Sequence, residues 1–249
     1  MSAITIGGIV FAVVFGGALL GMRIRTIVPE DHLSHESRDV IKLGMGLIGT
    51  MAALVLSLLI SSAKTSFDTR AAEVTQVTAN VIVLDRLLAH YGAETKEARD
   101  LLRRSVVLAI AQLWPEGGAR PQLTPDAESE ALHDKIRALS PHDEAQRALQ
   151  AEALAITTSL AQTRWLLVAQ GDRAVPMPFL VVLVLWLAVI LMSFGLFVHR
   201  NTTVTLALFV CALAFSSAIF LVLELDQPFE GVIRISSTPM RQIIAHLGR

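Results

Sequence analysis

The sequence predicts an all-α integral membrane protein, with four transmembrane helices in two hairpins and a helical, coiled-coil-like domain inserted between them outside the membrane. Three observations predict it. Four apolar runs, giving helices at about 4–22, 42–63, 178–198 and 203–223, are each about the length needed to cross a hydrocarbon core of roughly 30 Å. The 249-residue chain is 53% hydrophobic and 17% charged, whereas soluble domains sit at about 45–50% and 25%. The charge is also unevenly placed, since residues 65–177 hold 15 of the 22 acidic and 12 of the 21 basic side chains. The expected division is a membrane hairpin at 1–63, an extramembrane helical domain at 64–175, and a second hairpin with an amphipathic tail at 176–249.

Several function classes lose support at this level. A net charge of −1 gives no basic footprint for nucleic acid. The lone cysteine, Cys211, permits neither an intrachain disulfide nor a cysteine-based metal cluster. No glycine-rich phosphate loop, HExxH pair or recognisably spaced nucleophile and base occurs, so neither an enzyme nor a cofactor is expected.

The first run, 4–22, ends at Arg23 and Arg25. No basic residue precedes it and no small-x-small cleavage site precedes Arg23 cleanly, so a membrane helix is expected rather than a signal peptide. Gly8, Ala12 and Gly16 recur at every fourth residue, as do Gly17 and Gly21. Small residues at that spacing let helix backbones approach closely in lipid.

The first connection reads PEDHLSHESRD. On a helix, His32 shares a face with His35 and Glu36. That is an arrangement a metal ion can use, although a further ligand such as His199 would have to come from elsewhere. The plainer alternative is a polar helix start, with Ser34 or Ser37 capping and acids near the positive helix end.

The second run carries a stripe. Gly46, Thr50, Ala53, Ser57 and Ser61 follow one another at steps of four, three, four and four, and Lys64 stands at the end. One continuous line of small, weakly polar side chains results. It can pack against another helix, or it can line a narrow ion path in which hydroxyls replace part of the hydration shell, with the lysine favouring anions at the mouth.

No glycine or proline interrupts the chain between Ser61 and Val74. The pattern then changes to a heptad seam of Val74, Val77, Val81, Leu84, Leu88 and Tyr91, with Asp85 and Arg86 beside it. Membrane helix and seam are therefore expected to share one rod, ending at Gly92. A second helix follows at about 93–113, with Leu101, Leu102, Ser105, Val106, Leu108, Ala109 and Leu113 as its buried face and Trp114-Pro115 as its stop. The breaker-rich stretch 115–125 reads as a loop. A short helix to about 139 comes next, and then a capping-box-like start at Ser140-Pro141-His142-Asp143. The helix opened there carries a second seam of Leu149, Ala153, Ile156, Leu160, Thr163 and Leu167. The two seams can pair with each other or between subunits.

The third and fourth runs are joined by four residues, His199 to Thr202, which makes a tight hairpin. The fourth ends in LELDQPFEG. Glu224, Asp226 and Glu230 around Pro228 could hold a cation through carboxylate and carbonyl oxygens; the alternative is a solvated helix end paired with Arg234. A short amphipathic helix at 239–247 is expected to close the chain on the membrane surface or on the helical domain.

Three stretches, PEDHLSHESRDVIKLGMGLIGTMAALVLSLLISSAKTSFDTR, DRLLAHYG and LELDQPFEG, resemble the bestrophin-like family of bacterial membrane proteins, and more distantly the bestrophins. The resemblance covers nearly the whole chain. It implies a pentameric homo-oligomer in the lipid bilayer that conducts small inorganic anions, with the second membrane helix lining the pore. It also matches Glu224, Asp226, Pro228 and Phe229 to the acidic stretch, containing Pro-Phe, that follows the fourth helix in bestrophins. The long acidic run of calcium-gated animal bestrophins and an aromatic-rich pore neck are both missing from this sequence.

Four spans put both termini and the helical domain on one side of the membrane, expected to be the cell's inner membrane. The short connections carry Arg23, Arg25, Arg38 and Arg200, and the positive-inside rule alone would turn these toward the cytoplasm. The family resemblance implies the opposite, a cytoplasmic helical domain. A non-conducting scaffold or sensor acting through the seams is the competing function.

Overall fold

The structure, a computed structural model, describes residues 2–27, 35–115, 127–169, 176–198, 201–245 and 247, with backbone alone for 35–38, 168 and 169. Among these residues every regular element is helical: α1 (Ala3–Ile24), α2 (His35–Tyr91), α3 (Lys96–Leu113), α4 (Ala127–Arg137), α5 (Glu144–Ala169), α6 (Met177–Phe197), α7 (Thr202–Leu225) and α8 (Thr238–Ile244). Four of them, α1, α2, α6 and α7, are long and apolar enough to cross a membrane. The expected all-α membrane architecture is what the chain forms.

The chain divides into two units, one of residues 1–66 and 173–227, the other of 67–172 and 228–249. The second hairpin and the tail therefore separate: residues 228–249 belong with the helical unit, whereas the sequence division kept them with the hairpin.

In the membrane unit α1 is the central element. It packs along both α6 and α7, and these two meet each other far less. Glycine sets the closeness of the α1–α6 pair. A Cβ built on Gly21 would overlap the carbonyl oxygen of Met192, one on Gly195 would overlap that of Ala18, and one on Gly17 would lie 2.9 Å from that of Ala188. The backbones are thus in direct contact, as small residues in membrane helices allow. On α7, the Ser216 hydroxyl donates to the Gly7 carbonyl at 2.7 Å. Phe11, Phe15 and Phe209 form an aromatic trio with centroids 5.3–5.7 Å apart. Ser2 caps α1 and Asn201 caps α7, each accepting from an amide of the first turn.

In the helical unit the seam of α2 is buried as its spacing requires: Val74, Val81, Leu84, Leu88 and Tyr91 are all buried and Val77 partly so. Val74, Val77, Val81, Leu84 and Leu88 share one core with α3, α4, α8 and the α5 residues Ala153, Ile156 and Leu160, so both seams meet within one chain. The buried face of α3 is Ala98, Leu102, Ser105, Val106, Ile110 and Leu113. Leu108, expected inside, is exposed, because at about 100° per residue it lies well off the arc that Leu102 and Val106 define.

Polar contacts fasten the turns. Gly92 adopts φ 138°, a region open to glycine, and ends α2. Thr95 Oγ1 then lies within hydrogen-bond distance of the carbonyls of Leu88 (2.6 Å) and Gly92 (2.8 Å), which share its one hydrogen. Asp85 and Arg99 form a bidentate pair at 2.8 and 3.1 Å that ties α2 to α3. That hydrogen-bonded carboxylate raises the Arg99 pKa still further. Lys135 donates to Glu97 at 2.6 Å between α4 and α3, and this bond lowers the carboxyl pKa of Glu97. Asp143 Oδ1 accepts from the Gln146 amide at 2.6 Å, and Gln146 Oε1 accepts from the His142 amide at 2.8 Å. This resembles a capping box with the return bond moved one residue back, from Asp143 to His142.

Candidate functional site

The stripe on α2 occupies a single face. At about 100° per residue, Gly46, Thr50, Ala53, Ser57, Ser61 and Lys64 fall within an arc of roughly 80°. All six are exposed. The three buried residues of this stretch, Ala52, Leu59 and Ala63, lie about 140° away around the helix. On the stripe's other side, centred about 80° from it, stand the exposed leucines Leu43, Leu47, Leu54 and Leu58. Membrane-level α2 thus has a packed face, an open small-residue face and an open leucine face.

The open face is unlike the glycine contacts of α1. A Cβ on Gly44, Gly46 or Gly49 would meet nothing within 4 Å. Only 11% of the most apolar window of α2 is buried, against 28–39% in the other three spans. The hydroxyl hydrogen of Thr50 is committed to its own helix, donating to the Leu47 carbonyl at 2.7 Å. Its oxygen therefore faces outward as an acceptor until the rotor turns. In that state the oxygen can accept a hydrogen bond, and one rotation turns the hydroxyl outward as a donor.

Glu224 and Asp226 are both buried at the C-terminus of α7, and each has interaction partners. Glu230 is half-buried and belongs to the helical unit rather than the membrane unit. Among the described residues no group of three His, Cys, Asp or Glu side chains is placed to hold a metal ion. His32, His199 and the side chains of His35 and Glu36 lie outside the described residues.

The stretch after α7 has a definite structural role that sequence reasoning missed. Its backbone folds back on itself through an Ile235 N–H to Pro228 carbonyl bond of 2.7 Å, with Gly231 at φ 79°. Phe229 packs edge-on against Trp114 with centroids 5.5 Å apart, and the Trp114 indole N–H donates to the Ile235 carbonyl at 2.9 Å in a buried setting. Trp114 looked like a helix stop only. The available signal was a tryptophan at a helix end, which needs a hydrogen-bond partner once buried.

A family model for the bestrophin-like domain matches residues 8–240. The chain belongs to that family. The match takes in the α2 stripe, both units and the Phe229 clasp of this bestrophin-like chain. No curated protein and no solved structure matches it.

Proposed function

We propose that this bestrophin-like protein is a homo-oligomeric ion channel, pentameric by family resemblance and anion-preferring, with α2 lining the path. The observation that carries the proposal is the open face of α2. Small and hydroxyl-bearing residues that one subunit leaves uncovered, opposite a packed face, are what an axial path made by several copies requires. The adjoining leucine face is suited to the neighbouring subunit or to lipid. Lys64 contributes positive charge at one mouth. Small inorganic anions are the proposed permeant species, and Glu224, Asp226 and Glu230 the proposed ion-binding group near the membrane edge.

The membrane is the inner membrane of the cell, with both termini and the helical unit in the cytoplasm, following the family analogy over the arginines of the short connections. A scaffold acting through free seams has less support, because both seams contribute to the chain's own core. The test is electrical. Purified protein reconstituted in planar bilayers should pass current with chloride preferred over sodium, and Lys64→Glu should move the reversal potential toward the cation. Absence of current in every lipid and at every voltage would falsify the proposal.

A further inference from the structure

A half-open cleft of about 540 Å³ lies in the helical unit, bounded by α2, α3, α4, α5 and α8. This volume falls within the range of about 300–1,000 Å³ typical of small-molecule sites, which often form between the helices of bundles. Most of the wall is apolar, with Val81, Leu102, Val106 and Leu132 among its buried members. Trp165, 59% exposed, also lines it and so stands at its rim.

The polar element of this wall is His133. Its Nδ1 is 2.9 Å from Thr157 Oγ1. That hydroxyl has one hydrogen, and it donates it to the Leu154 carbonyl at 2.9 Å. With the Thr157 hydrogen directed to that carbonyl, His133 Nδ1 is assigned as the donor of the pair, and this tautomer leaves Nε2 as an acceptor. Among the described residues only Nδ1 of this ring has a hydrogen-bond partner. Charge on the wall is mixed in sign, from Glu130, Asp134 and Arg164. Arg164 is already bonded to Gln112 Oε1 at 3.2 Å and to Ser129 Oγ at 3.5 Å. Glu130 and Asp134 are exposed and solvated, so the apolar wall itself carries no net pull on a charged ligand.

We propose that this cavity binds an uncharged, largely apolar small molecule carrying one hydrogen-bond donor, of the phenol or naphthol class. The donor bonds to His133 Nε2 and the ring lies against the apolar wall. The site belongs to the helical unit alone and does not depend on ion conduction, so its test needs no flux measurement.

The experiment is equilibrium dialysis of the purified full-length protein in micelles with 2-naphthol, and in parallel with naphthalene, against protein-free micelles. Saturable 2-naphthol binding at one site per chain is expected, with a Trp165 fluorescence change that follows the same curve and is lost in Trp165→Phe. His133→Leu should weaken 2-naphthol at least tenfold and leave naphthalene unchanged. Ala109→Trp, which fills the volume from α3, should abolish both; Ala161→Phe fills it from α5 if the first variant does not fold. Uptake of 2-naphthol no greater than in the protein-free micelles overturns the proposal, including where a second copy of the chain occupies the cavity on assembly. A saturable curve unmoved by His133→Leu and by both filling variants overturns it equally.

Discussion

Helices α1 and α2 both cross the membrane unit and both carry glycines at helical spacing, yet they use them in opposite ways. On α1, Gly17 and Gly21 are pressed against the backbone of α6, with no room for a single methyl group at Gly21. On α2, Gly44, Gly46 and Gly49 have nothing in front of them. α1 itself holds both cases, because Gly8 and Gly16 are open while Gly7, Gly17 and Gly21 are met. A small residue in a membrane helix thus has no meaning of its own. What decides is whether a facing backbone fills the groove it leaves.

The sharpest way to break this contrast is a matched pair of substitutions. Gly21→Leu drives a side chain into the Met192 carbonyl and should cost at least about 3 kcal/mol, an overpacking that α6 cannot relieve by a rotamer change. Gly46→Leu should leave the thermal midpoint of the detergent-solubilised protein nearly unchanged. Equal losses in the two midpoints would end the distinction. Function should invert the ranking: Ser57→Leu narrows the proposed path and should cut bilayer current by tenfold or more while the protein stays folded. An unchanged current would remove α2 from the path.

A smaller effect separates the hydroxyls of the two regions. Ser216 bonds across helices to Gly7, whereas Thr50 bonds only within its own helix. Ser216→Ala should lower stability by about 0.6 kcal/mol, a usual value for an interhelical hydrogen bond in a membrane. Thr50→Val should change stability less. The smallest effect lies at the far end of α2, at Tyr91. The Tyr91 hydroxyl is buried without a hydrogen-bond partner among the described residues. Burial, with Glu94 and Asp143 adding to it, holds its pKa above the ordinary value of 10.0. A raised folded-state value means that stability tied to neutral Tyr91 is complete below pH 10 and is lost as pH rises beyond it. Tyr91→Phe should hold or slightly raise the midpoint at pH 7, and should flatten its decline above about pH 10. An equal decline in both proteins would show that Tyr91 does not titrate in that range.

Much of this fold was legible in the sequence because its strongest signals are one-dimensional. Charge-free runs mark the spans, the absence of a breaker between Ser61 and Val74 marks the continuity of α2, and the three-and-four spacing marks Val74 to Tyr91 as a buried seam. Features that depend on two elements meeting were not legible. Gly8, Ala12 and Gly16 look as suited to packing as Gly17 and Gly21, and only the position of α6 tells them apart. The wedging of α1 between α6 and α7 leaves no trace in either hairpin partner. Nothing in Pro228 to Ser236 announces that Trp114 waits for it, and the cavity beside His133 has walls from five helices. For the stripe, spacing located the face on α2 and structure added that it is open.

The docking of the tail also carries a consequence for biosynthesis. The core of the helical unit takes Leu84, Leu88 and Leu102 from before the α6–α7 hairpin and Ile235, Met240, Ile243 and Leu247 from after it. A ribosome delivers these pieces in order, so two further spans are synthesised before the core can be completed. Domains made from one uninterrupted segment can fold as they emerge; this one must wait for residues 235–247. A chain cut short after α7 would leave the Trp114 indole N–H without its acceptor and an apolar surface uncovered, which is the kind of exposure that quality-control proteases read. The clasp at Ile235 therefore closes only after both α6 and α7 have been synthesised.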